Sequence, residues 1–296
     1  MSTTRSATSL ARPCLRRGRK RSARSGMSIT SRLSAFLAVA VMVLGVTAAQ
    51  AEASATPSPS PSLSLSMILN GADVNIAVQG SGDSLMFYWA AIGTGTWHAE
   101  TVAGPGTTYS APSMILDGNT VDIAAMGTEN ILWFYWATIG TGTWNPEIVA
   151  GAGSTFSAPS MILDGNAVNI AIQGPDNTLM YYSATIGTGT WSSETVAGAG
   201  TTGFTPSMIL NGNAVNIAAE GVGAELDYYW MVNGTGTWHP ETIAGIGSAF
   251  FSPTMILNGN TVDVTAENGN AGLIFYWAFN GSTTWQAETV APDRSL

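Results

Sequence analysis

Basic residues all but vanish after residue 32. Arg5, Arg12, Arg16, Arg17, Arg19, Lys20, Arg21, Arg24 and Arg32 account for nine of the ten Lys and Arg, and the tenth is Arg294. All 19 acidic residues stand from Glu52 onward. One basic residue against 19 acidic ones leaves that part of the chain with a formal charge of −18. Binding phosphate takes Lys and Arg, so nucleic acid is excluded as a partner and anionic membrane is disfavoured. The charge also favours solubility. Cysteine is confined to Cys14, which leaves the rest of the chain without disulfides or thiolate metal ligands. Two histidines, His98 and His239, are too few and too far apart to form a metal site. No metal and no cofactor is expected. Helical periodicity is missing as well: apolar residues stand in short runs between Gly-rich turns.

The basic residues at the start have a use of their own. They precede an apolar run from Leu33 to Val46 and then Ala49-Gln50-Ala51. Positive segment, apolar segment and small-residue site together read as a secretory signal peptide over residues 1–51, with cleavage after Ala51 and Ala55 as the alternative. The run is slightly short for a membrane span of about 20 residues, so no membrane insertion is expected after cleavage. Met27 would start an equally good signal, and Arg16-Arg17 stands too far upstream for a strong twin-arginine signal. Residues 52–65 read as a linker, in which the tract PSPSPSLSLS (Pro57–Ser66) is a stiff, extended spacer that cannot build a core.

What is abundant is repetition. The stretch that begins MILDGNAVNIAIQG at Met161 recurs five times, with its Met at Met67, Met114, Met161, Met208 and Met255, always 47 residues apart. Asn-Gly or Asp-Gly between apolar runs signals a β-hairpin. A second turn (Gly174-Pro175-Asp176-Asn177) and a third (Ile-Gly-Thr-Gly-Thr) divide each repeat into four short strands. The third strand is apolar on both faces, with Leu85, Phe87 and Trp89 alternating with Met86, Tyr88 and Ala90. Such a sheet must be covered on both sides, and a radial array of four-stranded blades does that. The fold class is therefore all-β, a five-bladed β-propeller over residues 66–296. A closed ring is expected: the last repeat lacks the lead-in that precedes each inner Met, and Pro61–Ser66 occupies that slot ahead of Met67.

Twelve positions are identical in all five repeats, and Glu is the only charged residue among them. Those able to recognise a ligand are Trp97, Trp144, Trp191, Trp238 and Trp285, then Glu100, Glu147, Glu194, Glu241 and Glu288, and a Tyr set at Tyr88, Tyr135, Tyr182, Tyr229 and Tyr276. The spacing Trp-x-x-Glu puts the two side chains on opposite faces of a strand. A site using both must then combine Trp from one blade with Glu from the next, in up to five grooves between blades. An aromatic face beside a carboxylate suits a sugar ring and its hydroxyls, and Asn75, Asp122, Asn169, Asn216 and Asp263 add oxygen acceptors. The plain alternative is that Trp and Tyr pack between blades and the Glu is solvated. Asp117-Gly118-Asn119…Asp122 fits a hairpin turn better than a calcium loop.

The order SAPSMILDGNAVNIAIQGPDNTLMYY…W…E…G is similar to blades of the bacterial fucose-binding propeller lectins, in which P-A-V-x, a D-I-F-V-R-G-like strand, D-N-A-L and W-x-P-x-E recur. The strand VNIAIQG lacks the arginine present there. In length and copy number the repeats also look like the tachylectin type of five-bladed propeller lectin. The resemblance runs from Ser66 to about Ala291 and implies multivalent binding of glycans or glycoconjugates between blades, without catalysis. Two other readings stand beside it. One is a scaffold that binds a protein partner. The other is a glycoside hydrolase, which needs two carboxylates about 5–9.5 Å apart. The acids that break the repeat in one region, Glu220, Glu225, Asp227 and Glu267, are the candidates for that pair.

Overall fold

The computed structural model describes residues 65–294. The signal-peptide reading, and the linker up to residue 64, lie outside these residues. Twenty strands follow in five sheets of four. Blade one holds β1 (Leu65–Asn70), β2 (Asp73–Gln79), β3 (Leu85–Ala91) and β4 (His98–Ala103). Blade two holds β5 (Ser113–Asp117), β6 (Thr120–Met126), β7 (Leu132–Thr138) and β8 (Asn145–Ala150). Blade three holds β9 (Ser160–Asp164), β10 (Ala167–Gln173), β11 (Leu179–Thr185) and β12 (Ser192–Ala197). Blade four holds β13 (Ser207–Asn211), β14 (Ala214–Glu220), β15 (Leu226–Val232) and β16 (His239–Ala244). Blade five holds β17 (Thr254–Asn258), β18 (Thr261–Glu267), β19 (Leu273–Phe279) and β20 (Gln286–Ala291). Every sheet pairs its strands in chain order and antiparallel. Consecutive first strands, β1 to β17, lie side by side. The chain is a five-bladed β-propeller.

The first hairpin of each blade differs in one detail from the sequence expectation. Asp117 pairs with Thr120, so Gly118 and Asn119 alone form the turn. Only the glycine has positive φ (56°). Gly at the first central position is the mark of a II′ turn rather than the Asn-Gly type. The Asn or Asp before it is therefore the last residue of the strand, and its side chain is free to face a neighbouring blade. The loop is a hairpin turn, as expected.

A bulge recurs in all five blades where the third strand meets the fourth. In blade one it falls between Leu85 and Met86, so that Val102 is skipped in the register. An extra residue shifts which side chains share a face. Below the bulge Glu100 stands opposite Phe87, and Asn75 stands opposite Trp89 on the other side of β3. Register alone thus gathers Asn75, Phe87, Trp89 and Glu100 on one face.

Four apolar clusters hold the blades together, each drawn from two consecutive blades. Leu85, Leu132, Leu179 and Leu226 are wholly buried in them, at about 1.5–3 kcal/mol of transfer free energy each. The Tyr set sits there too: Tyr135, Tyr182, Tyr229 and Tyr276 are buried core residues. A hydrogen bond marks each of the four junctions. Met114 N–H donates to Ser66 Oγ (3.1 Å), and the same bond recurs at Met161–Ser113, Met208–Ser160 and Met255–Ser207. Ser66 thereby does for blade one what the lead-in serines do elsewhere.

The fifth junction is different. Met67 is 63% exposed, against 4–7% for the other four repeat methionines. Leu65 and Leu69 of blade one are exposed, as are Ile256, Leu257, Phe279 and Val290 of blade five. Among the described residues no hydrogen bond joins blade five to blade one. The five blades form four closed junctions and one open seam, where a closed ring was expected.

Candidate functional site

At each closed junction the Trp of the Trp-x-x-Glu motif lies against the blade that precedes it. Its ring meets an aromatic of that blade's third strand edge-on: Trp144 on Phe87, Trp191 on Phe134, Trp238 on Tyr181 and Trp285 on Tyr228, with centroids 5.2–5.3 Å apart. That aromatic stands opposite the Glu of its own blade in the register. Trp and Glu of adjacent blades are thus brought together, the pairing running back along the chain. Trp144 Nε1 donates to Glu100 Oε2 (3.1 Å) and Trp238 Nε1 to Glu194 Oε2 (3.0 Å).

The other two junctions use the Glu differently. Trp136 Nε1 donates to Glu147 Oε1 (3.1 Å) and Trp230 Nε1 to Glu241 Oε1 (3.0 Å), both within one blade. Trp191 Nε1 and Trp285 Nε1 are then buried without a partner. A buried N–H left unpaired costs about 1–3 kcal/mol, and an oxygen acceptor brought by a ligand would recover it. Blade three lacks a third-strand Trp, having Ser183 in its place. There Glu194 has no competing donor.

Cavities occupy the same place at three junctions. Between blades two and three the volume is about 120 Å³, between three and four about 400 Å³, and between four and five about 250 Å³. The middle groove is lined by Asp164, Asn169, Tyr181, Ser183 and Glu194 from one blade and by the Met231–Gly236 turn from the next. Asn75, Asp122, Asn169, Asn216 and Asp263 are all buried, each opposite the third-strand Trp or Ser183. Tyr181 donates its hydroxyl to Asn169 Oδ1 (2.7 Å). Burial, reinforced by the carboxylates of Asp117 and Glu147, pushes the Asp122 carboxyl up to about 7.

The seam set does not assemble. Trp97 is 52% exposed and Glu288 is exposed, whereas the four equivalents of each at the closed junctions are partly buried. Asp263 instead accepts a hydrogen bond from Asn258 Nδ2 (3.1 Å) in its own blade.

Two groups of groove residues escaped the sequence reading. Asp117, Asp164 and Asn211 end the first strands and line the cavities. Asn233 of blade four donates to Asp164, and Asn280 of blade five pairs with Asn211 (2.9 Å). The third-strand aromatics Phe134 and Tyr228 are buried in the core and line grooves as well. Both depend on structural detail: a turn with Gly first in its centre, and a register shifted by one bulge.

The acids that break the repeat fall at one turn of blade four and at the matching turn of blade five. Glu220, Glu225 and Asp227 gather at the turn from β14 to β15, between the second and third strands of one blade. Glu220 is pushed up to about 7 by burial and by Glu225. Glu267 holds the equivalent place in blade five.

No protein-family model matches the chain, and no curated protein does. Solved structures do match its fold. The BP39L lectin of Burkholderia pseudomallei aligns over 77% of this chain and 69% of its own, at 15% identity and a TM-score of 0.68. The SapL1 lectin, solved with alpha methyl fucoside, aligns over 78% and 82%, at 11% identity and a TM-score of 0.56. The lectin of the fungus Aleuria aurantia, a six-bladed β-propeller with a described mode of fucose recognition, aligns over 78% of each chain, at 14% identity and a TM-score of 0.53. The fold of this chain is that of the propeller lectins.

Proposed function

We propose that this protein is a secreted, non-catalytic, multivalent carbohydrate-binding protein whose sugar sites are the grooves between adjacent blades. One observation carries the reading. The same groove recurs at three junctions, each with an aromatic wall, a carboxylate, and a buried Asn or Asp on one register face. Sugars present an apolar ring face and a fringe of hydroxyls, and these walls match both. The fold shared with propeller lectins supports it. Weak sites linked on one rigid body gain by effective concentration, with no new contact required.

The test is a glycan-array screen of the purified protein, followed by tryptophan-fluorescence titration of any hit. The expected result is saturable binding to more than one site per chain, with a change in indole emission. Trp191→Ala and Trp285→Ala each remove one groove wall, so each should lower the number of sites by one. A hit whose stoichiometry is untouched by both variants would refute the groove assignment, and a blank array would refute the sugar reading.

A blank array would turn attention to the protein-binding scaffold, which one feature favours. Tyr109, Phe156, Phe204 and Phe251 are exposed in the four lead-in loops. These loops lie at the opposite ends of the strands from the grooves. Exposed aromatics repeated on one rim are suited to a protein surface.

A further inference from the structure

The grooves are not chemically equal, and their differences follow from a few substitutions. At three matched positions the groove between blades four and five has Asn211, Asn216 and Glu241, and the groove between three and four has Asp164, Asn169 and Glu194. The groove between two and three has Asp117, Asp122 and Glu147. Acids thus number one, two and three.

Partners decide what these acids are for. In the groove between three and four every one of the three is bonded: Asp164 by Asn233, Asn169 by the Tyr181 hydroxyl, Glu194 by Trp238. Between two and three the matching donors are gone. Phe134 stands where Tyr181 supplies its hydroxyl, and Ile186 stands where Asn233 supplies its amide. Only Glu147 keeps a donor, Trp136 Nε1. Asp122 is 2% exposed and lines the cavity, and its carboxyl accepts no hydrogen bond among the described residues. Asp117 accepts none on its side chain either.

A buried carboxylate demands a counter-charge or a proton. Among the described residues no counter-charge is offered. Arg294 is the only Lys or Arg after residue 32, and His98 and His239 are stacked on Trp89 and Trp230 of other blades. Near and above pH 7, where the proton is lost, a ligand cation would supply the charge. Among the described residues no three His, Cys, Asp or Glu side chains are grouped tightly enough to hold a metal ion. The walls are aromatic instead, with Trp136 and Trp191 on either side. Indole faces favour organic cations. At roughly 10–15 Å³ per water, the cavity of about 120 Å³ has room for one monosaccharide.

We propose that the groove between blades two and three takes a saccharide with a free ammonium group, an amino sugar. The ammonium sits among Asp117, Asp122 and Glu147, and the ring lies against Trp136 and Trp191. This inference rests on the sugar-binding reading and specifies the ligand of one groove. The rise of the Asp122 carboxyl to about 7, caused by burial and by two neighbouring acids, is the strain such a cation would relieve.

The test compares methyl glucosaminide with methyl N-acetylglucosaminide by calorimetry near neutral pH, on the intact protein and on Asp117→Asn/Asp122→Asn. Blade four carries Asn at both positions, so the fold accepts the double variant. The free amine is expected to bind the intact protein at least about tenfold more tightly than the acetylated form, with an advantage that fades as salt rises. The double variant should lose that advantage and bind the two glycosides alike. Equal affinity for the two glycosides overturns the amino-sugar assignment and leaves carbohydrate binding standing. A preference that survives in the double variant overturns the site. Failure of every saccharide, neutral or cationic, overturns both this inference and the reading beneath it.

Discussion

Met114→Ala should cost the fold about 2–5 kcal/mol, and Met67→Ala within about 0.5 kcal/mol of nothing. The two methionines hold the same place in their repeats and differ only in what lies beyond them. Met114 is 4% exposed and packs with Ala77, Leu85, Phe87 and Val102 of blade one. Its truncation removes three heavy atoms and leaves a cavity between two sheets that other core contacts hold in place. Met67 is 63% exposed because no blade covers it. Urea unfolding of the two single variants measures the difference directly. Met161→Ala, Met208→Ala and Met255→Ala should follow Met114→Ala, since all three are equally buried. A large loss for Met67→Ala would mean that blades one and five meet in solution and that the seam is closed. In that case Trp97 would also pack on Phe275, and its emission would match that of the other groove tryptophans.

The seam shows where a repeat sequence is silent. Twelve invariant positions fixed at 47-residue spacing announce the blades, their strand count and their packing on both faces, because each follows from local pattern. Whether the last blade meets the first depends on small rotations summed around the array, which no single repeat encodes. The odd spacing of Trp-x-x-Glu was enough to place the two side chains on opposite faces and in different grooves. It did not fix which blade supplied which. That direction comes from the way each blade's first strand lies beside the next.

Groove chemistry was legible only in part, for a related reason. The buried Asn and Asp of the second strands could be read from alternation. Asp117, Asp164 and Asn211 could not, because Asn-Gly and Asp-Gly invite a turn with the acid at its centre. In the II′ turn the acid stays on the strand. The contrast between a bonded and an unbonded groove needs two further residues from different repeats, Ile186 against Asn233 and Phe134 against Tyr181. Each reads as a conservative change until the register shows what it donates to.

Stability should fall as pH rises through the window between about 4 and about 7, and Asp122→Asn should remove the part of that fall that Asp122 causes. The native carboxyl is pushed up to about 7 from an ordinary value of 3.8, first by burial and then by Asp117 and Glu147. The unfolded chain therefore releases its proton first. Between those pH values it binds fewer protons than the native state, so stability declines with rising pH. At about 1.4 kcal/mol per unit, the full interval amounts to about 4 kcal/mol, lost by pH ~7 and constant above it. Below about pH 4 both states hold the proton and the contribution is intact. The groups that face Asp122 are Asp117 at the end of β5, Glu147 on β8 and Trp136 on β7, none of them cationic. Glu220, raised to about 7 beside Glu225, gives a slope of the same sign. The difference between the intact protein and Asp122→Asn therefore isolates one groove from the other acid cluster. Chemical unfolding of both proteins across this range should give curves that coincide near pH 4 and part by pH 8, the variant being the more stable. Parallel curves would show that Asp122 ionises as an ordinary, hydrated carboxylate, and the groove would then have no charge in need of a cation. With methyl glucosaminide present the gap should close from the other side. The bound ammonium stabilises the ionised carboxylate, so the intact protein gains stability at neutral pH that the variant cannot gain.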